Sequence, residues 1–295
     1  LMVLVVMCTL DQVNLGIYGA VAKYIRSILV WWSPPGAGWK IPVFPGGALV
    51  GLLLFVNLTA AQAGRLELSW RKAGLWVVHL GLILLFLGEF VTGYFSVESQ
   101  MSIDEGQTRN YAESLREPEL VVTDTSAKDF DEVFSFPISK VSRGASLTLP
   151  RLPVTLLVKR AYANASFVTL TAADGPPLAT SGPGTRFAVH EEPPVSRDDE
   201  RNQTAAFIDV QEGGRSLGTF LVSNALGAPQ HFTADGRAFR IEMRQKRYYL
   251  SFSLTLKDFR HDVYPGTGIP KNFSSLVRLV DPARGEDRDV TIFMN

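Results

Sequence analysis

The chain has 295 residues with 29 basic and 29 acidic side chains, so its formal net charge is zero. This balance gives no electrostatic reason to expect a nucleic-acid partner, and no basic patch in the sequence is interleaved with aromatic residues. The single cysteine, Cys8, provides neither a disulfide nor a CxxC pair, which excludes thiol chemistry by these residues alone.

Apolar residues are concentrated in the first third of the chain, and the remainder has the composition of a soluble domain. We therefore predict two parts: a transmembrane helical region over residues 1–94 and a β-rich domain over residues 95–295. The opening run LMVLVVMCTL, residues 1–10, is typical of the last turns of a membrane helix. We expect it to be the end of a truncated first span.

A second span is predicted over residues 43–63, where Gly47 and Gly51 form a GxxxG pair. Small residues at this spacing let two helices approach closely in lipid. The loop that follows, residues 64–72, contains three basic residues: Arg65, Arg71 and Lys72. By the positive-inside rule this short loop is cytoplasmic, so the β-rich domain is predicted to lie on the outer side of the membrane.

The third span is predicted over residues 73–94, which is long enough to cross a hydrocarbon core of about 30 Å. Gly74, Gly81 and Gly88 recur every seven residues along one side of this helix. We expect them to pack against the second helix or against a partner's helix. The alternative is that glycine is simply common in membrane helices.

His79 is an ionisable residue within this otherwise apolar span. An imidazole is costly in hydrocarbon and can ligate a metal or carry a proton, so its presence indicates function. The carboxylate of Glu89 is ten residues away, roughly 15 Å along the helix. We predict that His79 binds a cofactor metal as an axial ligand of haem. The alternative is a structural histidine, hydrogen-bonded across a helix interface.

The outer part alternates short β-branched and aromatic runs with Gly, Pro, Asp and Asn, a pattern that predicts strands. At this spacing the strands favour a β-sandwich or a distorted barrel. Two segments rich in Pro and Gly, residues 174–185 and 191–203, are predicted to be surface loops. The predicted strands are residues 119–123, 153–159, 166–171, 205–210, 217–222, 237–243, 248–259, 275–280 and 289–293.

Motifs of intrinsic catalysis are absent from these 295 residues: we find no GxSxG, no P-loop, no GxGxxG after a strand and no HExxH. His190, His231 and His261 show no metal-ligand spacing, and we expect surface or structural roles for them. We assign no catalytic residue.

Several blocks of the sequence closely resemble the ResB family of System II cytochrome c biogenesis proteins. The blocks follow one another in order and span nearly the whole chain. They are CTLDQVNLGIYGAVAKY (8–24), IPVFPGGALVGLLLFVNLTAAQAGR (41–65), KAGLWVVHLGLILLFLGEF (72–90), ESQMSIDEGQTRNYAE (98–113), DFRHDVYPGTGIPKNFSS (258–275) and DVTIFMN (289–295).

The resemblance implies a non-autonomous subunit of a cytochrome c haem lyase. Such a subunit works with a CcsA (ResC) type membrane protein, moves haem b outward transiently and supports its covalent attachment to apocytochrome c. His79 occupies the position of the family's haem-associated histidine in the third helix. The implied location is the bacterial inner membrane, in contact with membrane lipid and with the β-domain in the periplasm or outside; the thylakoid membrane is the alternative.

The resemblance also leads us to expect a bis-histidine haem, with one ligand from His79, the other from a partner helix, and glycine packing to position the two. Family members continue past the IFMN block to a further membrane helix, which we expect to be missing here. Many relatives carry histidine where Gln62 stands, and glutamine is a poor iron ligand. A second hypothesis is therefore a haem-free, membrane-anchored assembly subunit of a larger respiratory or photosynthetic complex. Trp31, Trp32 and Trp39 are expected to be interfacial anchors.

Overall fold

The computed structural model describes residues 1–34, 38–65, 69–171, 175–195, 197 and 200–293. It divides into two compact units, Leu1–Val97 with Pro194–Arg201, and Glu98–Pro193 with Asn202–Asn295. The predicted fold class is confirmed. Three apolar helices that could span a membrane precede a large, mostly β domain with a curled sheet.

The helices of the first unit are α1 (Met2–Ala20), α2 (Gly47–Arg65) and α3 (Ala73–Phe95). Their most apolar windows have mean hydropathies of 1.4, 1.6 and 2.0, and almost none of these residues is buried inside the protein. Long, apolar and exposed helices are typical of membrane-spanning segments, because a helix satisfies its own backbone hydrogen bonds in lipid.

Helix α1 extends beyond the predicted end at residue 10, although it contains a carboxylate. Asp11 Oδ2 accepts hydrogen bonds from Lys23 Nζ at 2.6 Å and from the Tyr24 hydroxyl at 2.7 Å. The chain bends back toward Asp11 because Gly16 leaves the helical region with φ 67° and because a π-helical turn follows at Val21–Ile25. Pairing of the charge therefore lets the helix continue past Asp11.

Helix α2 begins at Gly47, four residues after the predicted start. The preceding residues form a strand, β2 (Ile41–Pro45), which pairs antiparallel with β1 (Leu29–Trp32). The hairpin joins the helix closely, since the Gly46 amide donates to the Ile28 carbonyl at 2.8 Å. A Cβ atom on Gly46 would lie 2.0 Å from a backbone oxygen, so only glycine fits there.

The second unit contains two main sheets and one separate hairpin. The smaller sheet has the order β11-β10-β7-β6, and the larger has the order β15-β14-β13-β4-β3, with β12 beside β13 and β5 beside β4. Strands β8 and β9 form the hairpin. The bounds are β3 (Ser99–Gln100), β4 (Thr108–Asp124), β5 (Glu132–Pro137), β6 (Ser146–Thr148), β7 (Val154–Tyr162), β8 (Ala165–Thr169), β9 (Phe187–Glu191), β10 (Ala205–Glu212), β11 (Arg215–Ser223), β12 (Gln230–Ala234), β13 (Arg237–Val263), β14 (Pro270–Asp281) and β15 (Glu286–Phe293).

The main core lies between the smaller sheet and one end of the larger sheet. Leu120 and Ile241 of the larger sheet are fully buried in one cluster with Leu156 and Ile208 of the smaller sheet. At this end the domain is a β-sandwich, as predicted, with apolar side chains alternating into the core.

Each predicted run lies in a strand over most of its length, but residues 237–243 and 248–259 belong to one strand, β13. The charged residues between them suggest a turn in the sequence. In the structure their charges are paired on β4: Arg244 Nε lies 3.1 Å from Glu119 Oε1, and Arg247 Nε lies 3.0 Å from Glu113 Oε1. The two ion pairs let the strand run through this polar stretch.

The segment after β8 is more closely packed than the surface loop predicted over residues 174–185. Ala179 is buried, and the amides of Thr180 and Ser181 both donate to the carbonyl of Thr219 on β11. Gly184 lies against Leu221, where a Cβ atom would approach the leucine side chain to 2.4 Å. Residue 174 itself lies outside the described residues, as do 196, 198 and 199 of the other predicted loop.

Asp209 on β10 is a buried carboxylate whose charge is compensated. Its side chain is 4% exposed and accepts hydrogen bonds from Ser216, Gln211 and Thr219. Burial raises the pKa of Asp209, but these hydrogen bonds and the ammonium group of Lys159 outweigh burial and hold the pKa below its usual range.

The lowered pKa predicts an acid-dependent contribution to stability. An unfolded Asp titrates near pH 3.9, so the contribution is fully present above that pH and is lost as the pH falls through the lower pKa of the folded state. Asp209→Asn should reduce the free energy of unfolding by about 1–3 kcal/mol at pH 7. The difference from wild type should shrink below about pH 4.

Unfolding of the full chain, followed by circular dichroism at several pH values between about 7 and 3, measures this difference. The half-exposed Asp287, which pairs with Arg278, provides the control variant Asp287→Asn with a smaller expected change. A difference between Asp209→Asn and wild type that does not vary with pH would contradict the assignment.

Candidate functional site

His79 lies in the first half of α3, and its ring has one defined hydrogen bond. Nδ1 is 2.8 Å from the carbonyl oxygen of Leu75, one turn earlier in the same helix. A carbonyl oxygen only accepts hydrogen bonds, so the hydrogen of the neutral ring is on Nδ1. The lone pair is then on Nε2, which is the protonation pattern of a metal-ligating histidine with a backbone partner.

The side chain of His79 lies on the half-buried face of its helix. Trp76, His79, Ile83 and Phe86 are all half-buried, whereas most of α3 is exposed. Their spacing of three and four residues places them on one side of the helix. Helices α2 and α3 contact each other. The imidazole is therefore on the more protected side of α3, which reduces the cost of keeping it in a membrane helix.

The glycines of α3 do not lie on this face. At 100° per residue, Gly81 lies about 200° around the helix axis from His79. Gly74 and Gly88 are each seven residues from Gly81, so they lie on nearly the same side of the helix as Gly81. In the part of the chain that the structure describes, no neighbouring atom lies within 4 Å of a Cβ position built on these three glycines. The expectation that glycine packing positions the haem ligands stays a prediction, in which the glycines and His79 would face different neighbours.

Gln62 on α2 is a buried amide with unsatisfied hydrogen-bonding capacity. Only 7% of the residue is exposed, and neither Nε2 nor Oε1 has a hydrogen-bond partner among the described residues. Asn57 on α2 and Glu89 on α3, which are also polar residues of the predicted spans, are exposed. A buried amide without partners is unfavourable in hydrocarbon, so Gln62 marks a place where a polar group is required.

The structure does not bring the other histidines together. His190, His231 and His261 lie on β9, β12 and β13, and all three are exposed. The ring of His261 stacks on Phe273 with centroids 4.5 Å apart. A search of the described residues finds no group of three or more His, Cys, Asp or Glu residues that could hold a metal ion. His79 could therefore supply only one protein ligand to a metal.

Sequence reasoning missed the Asp11, Lys23 and Tyr24 cluster, since the first span was predicted to end at residue 10. A carboxylate between two apolar runs was the available signal, but its partners are twelve and thirteen residues away and meet it only because α1 bends. The cluster is adjacent to the small core of Leu4, Tyr24 and Val30 that joins α1 to the β1–β2 hairpin.

The chain thus consists of three helices that could span a membrane and a large β domain, with one histidine available as a ligand in the third helix. Its sequence is similar to that of protein NrfI of Wolinella succinogenes, with 24% identity over 248 residues. The similar region covers 84% of this chain and 24% of NrfI, so the chain spans about a quarter of that protein's length. No known family model matches the chain, and the resemblance to the ResB family stays a prediction.

Proposed function

We propose that this chain is a ResB-like subunit of a System II cytochrome c synthase, which handles haem in the membrane and supports its covalent attachment to apocytochrome c. The observation that carries the proposal is the state of His79, which is protonated on Nδ1 by its bond to Leu75 and has a free lone pair on Nε2. The ordered sequence blocks and the similarity to NrfI, which covers most of the chain, support a role in cytochrome c maturation.

The residues present fit one half of a haem site. A bound haem would supply the iron that His79 ligates and the vinyl groups that become thioethers. His79 would hold the haem from one side through Nε2, while the Leu75 carbonyl fixes the orientation of the ring. Haem is cargo in this proposal, and haem b bound transiently needs only this single ligand from the chain.

The second axial ligand would come from a CcsA (ResC) type membrane partner. The half-buried face around His79 would meet that partner's haem-bearing helix, while the open face of Gly74, Gly81 and Gly88 would admit a second helix at close range. The two faces of α3 would thus have different neighbours. Such an arrangement explains why the two sets of residues are separated by roughly half a turn.

The proposed topology places the loop between α2 and α3 in the cytoplasm and the β domain in the periplasm of a bacterial inner membrane. Arg71 and Lys72 of this loop support that orientation. The β domain would then lie on the side where apocytochrome c is exported. Thioether formation on a CxxCH motif needs two cysteines, whereas this sequence has only Cys8, so the chain would act on the cysteines of its protein substrate.

Dependence of cytochrome c maturation on this chain tests the proposal. A host without its own biogenesis system would produce a reporter cytochrome with one CxxCH motif and the natural CcsA-type partner, with or without this chain. Haem that stays on the reporter in a denaturing gel measures covalent attachment. We expect such haem only when the chain is present; equal haem without it, or none with both proteins, would contradict the proposal.

Gln62 favours the second candidate function, a haem-free assembly subunit. An amide is a poor iron ligand, and Gln62 is buried with neither polar atom paired among the residues that the structure describes. In that role Gln62 would bond to a polar group of a neighbouring membrane subunit. A complex that needs this chain for assembly but contains no haem near His79 would favour this second function.

A further inference from the structure

The strand β12 lies at the edge of the larger sheet and leaves backbone groups unpaired. Among the described strands it pairs only with β13, through a two-residue turn at Asp235 and Gly236, which have φ values of 50° and 68°. The backbone of Ala238 bonds on the opposite side, with its amide 2.9 Å from Ser126 Oγ and its carbonyl 2.9 Å from the Thr125 amide.

The direction of backbone hydrogen bonding alternates from residue to residue along an antiparallel strand. The bonds of Ala238 therefore determine the direction of each backbone amide and carbonyl of β12. Phe232 and Gln230 of β12, which are paired with Phe239 and Ile241, bond to β13. The amides and carbonyls of His231 and Thr233 point away from β13. These four groups have no hydrogen-bond partner among the described residues, and both side chains are exposed. We call these four outward-facing groups of His231 and Thr233 the β12 edge. An edge of this kind can pair with a further strand.

A cavity of about 440 Å³ lies beside the β12 edge. Its floor is apolar: Phe220 and Phe232 are buried, and their rings lie 6.1 Å apart. Leu217 and Leu226 complete the apolar lining. This volume is in the range of pockets that bury a compact ligand group.

The walls of the cavity are held by the chain itself. Gln230 Nε2 donates to the Leu221 carbonyl at 2.5 Å, which joins β12 to β11 across the sandwich. Gly182 forms the facing wall with φ 72°, and a Cβ atom there would lie 2.0 Å from Gln230 Oε1. The cavity therefore does not depend on ligand binding for its shape, which favours binding.

The position of the cavity relative to the β12 edge determines which residue of a bound strand enters the cavity. A strand that bonds to His231 and Thr233 has one residue directly opposite Phe232. That residue points to the same face as Phe232, so its side chain enters the cavity. Ser181, Gly182 and Pro183 line the other side of the cavity.

We propose that the β12 edge binds one extended segment of an unfolded polypeptide by strand addition, with a large apolar side chain of that segment in the cavity. Main-chain hydrogen bonds to His231 and Thr233 give affinity, and the apolar cavity selects the residue opposite Phe232. Identification of the polypeptide as apocytochrome c rests on the proposed function; strand addition itself does not.

A proline variant with a matched control tests the edge. Thr233→Pro removes the outward-facing amide and leaves every bond from β12 to β13 intact, since Thr233 bonds outward. Thr233→Val retains that amide and a β-branched side chain. The probe is a haem-free cytochrome c with alkylated cysteines, titrated against the full chain with its membrane partner in detergent.

We expect Thr233→Val to bind the probe like wild type and Thr233→Pro to bind at least about tenfold more weakly. Ala228→Trp, at an exposed position of the cavity wall, is a second test, because the indole would fill the space and weaken binding by a similar factor. Unchanged circular dichroism shows that each variant is folded. Binding by both Thr233→Pro and Ala228→Trp as tight as that of Thr233→Val would overturn the proposal.

The remaining outcomes separate this inference from the proposed function. Probe binding that depends on Thr233, in a protein that supports no cytochrome maturation, supports strand addition and contradicts the proposed function only. No binding by wild type, or an edge that instead pairs two copies of this chain and becomes monomeric in Thr233→Pro, would overturn strand addition.

Discussion

His79→Ala is expected to reduce covalent haem attachment to a reporter cytochrome by more than about tenfold. Loss of a group that only orients a metal ligand typically costs about 10–100-fold in metal affinity or activity, and loss of the ligand itself should cost at least as much. In the proposed function, removal of the imidazole deletes the Nε2 lone pair that His79 would offer to iron, and the neighbouring side chains Trp76, Ile83 and Phe86 provide no replacement. Haem staining of the reporter in a denaturing gel measures the effect.

Leu82→Ala is the matched control for this variant, since Leu82 is exposed on the same helix and less than one turn away. It should leave attachment near the wild-type level. The amount of chain in the membrane must be equal in all samples, which an immunoblot shows. Attachment in His79→Ala that equals attachment in Leu82→Ala would contradict the role of His79.

Phe239→Ala is expected to lower the free energy of unfolding of the β domain by about 3–5 kcal/mol. The Phe239 ring is fully buried and stacks on Phe232 with centroids 5.1 Å apart. Its strand, β13, has β4 on one side and β12 on the other, so the neighbours cannot collapse into the space left by the ring. For a domain of this size the melting temperature should fall by about 10 °C.

Thermal unfolding of the full chain, followed by the circular dichroism of the β-sheet, measures this change. Phe259→Ala is the control, because Phe259 lies on the same strand and also stacks on a phenylalanine, but is 49% exposed. It should lower stability much less. A loss of stability in Phe259→Ala as large as that in Phe239→Ala would show that the core does not depend on burial at Phe239.

The sequence predicts the helices well because length and hydropathy decide whether a segment can span a membrane. It does not predict where α1 ends or where α2 begins. Those bounds depend on the bonds between Asp11, Lys23 and Tyr24 and on the pairing of β1 with β2, which join residues distant in the chain. Tertiary contacts therefore override local composition at both places.

The strands are also predictable, since alternation of apolar residues is a local signal. The continuity of β13 is not, because Arg244 and Arg247 indicate solvent in the sequence and are paired with glutamates on β4 in the structure. The short edge strand β12 is not predictable for a similar reason. Its unpaired backbone groups and the neighbouring cavity arise from sheet order, which no local pattern encodes.

His79 could be identified from the sequence as the ionisable residue of an apolar helix. The structure adds its hydrogen bond to Leu75, which determines the ring nitrogen that is free, and its position on the half-buried face of α3. The angle of about 200° between His79 and Gly81 around the helix axis could also be calculated from the sequence. The prediction from the sequence rested only on the spacing between the glycines and not on their angle to His79.

The visible spectrum and the pyridine haemochrome content of the complex, purified through this chain for wild type and His79→Ala, test the central claim most directly. The account predicts haem in wild type, loss of that haem in His79→Ala and its return when imidazole is added, because free imidazole can replace the missing Nε2 ligand. Haem that is retained equally in both proteins, or that is absent from both, would contradict the assignment of His79 as a haem ligand.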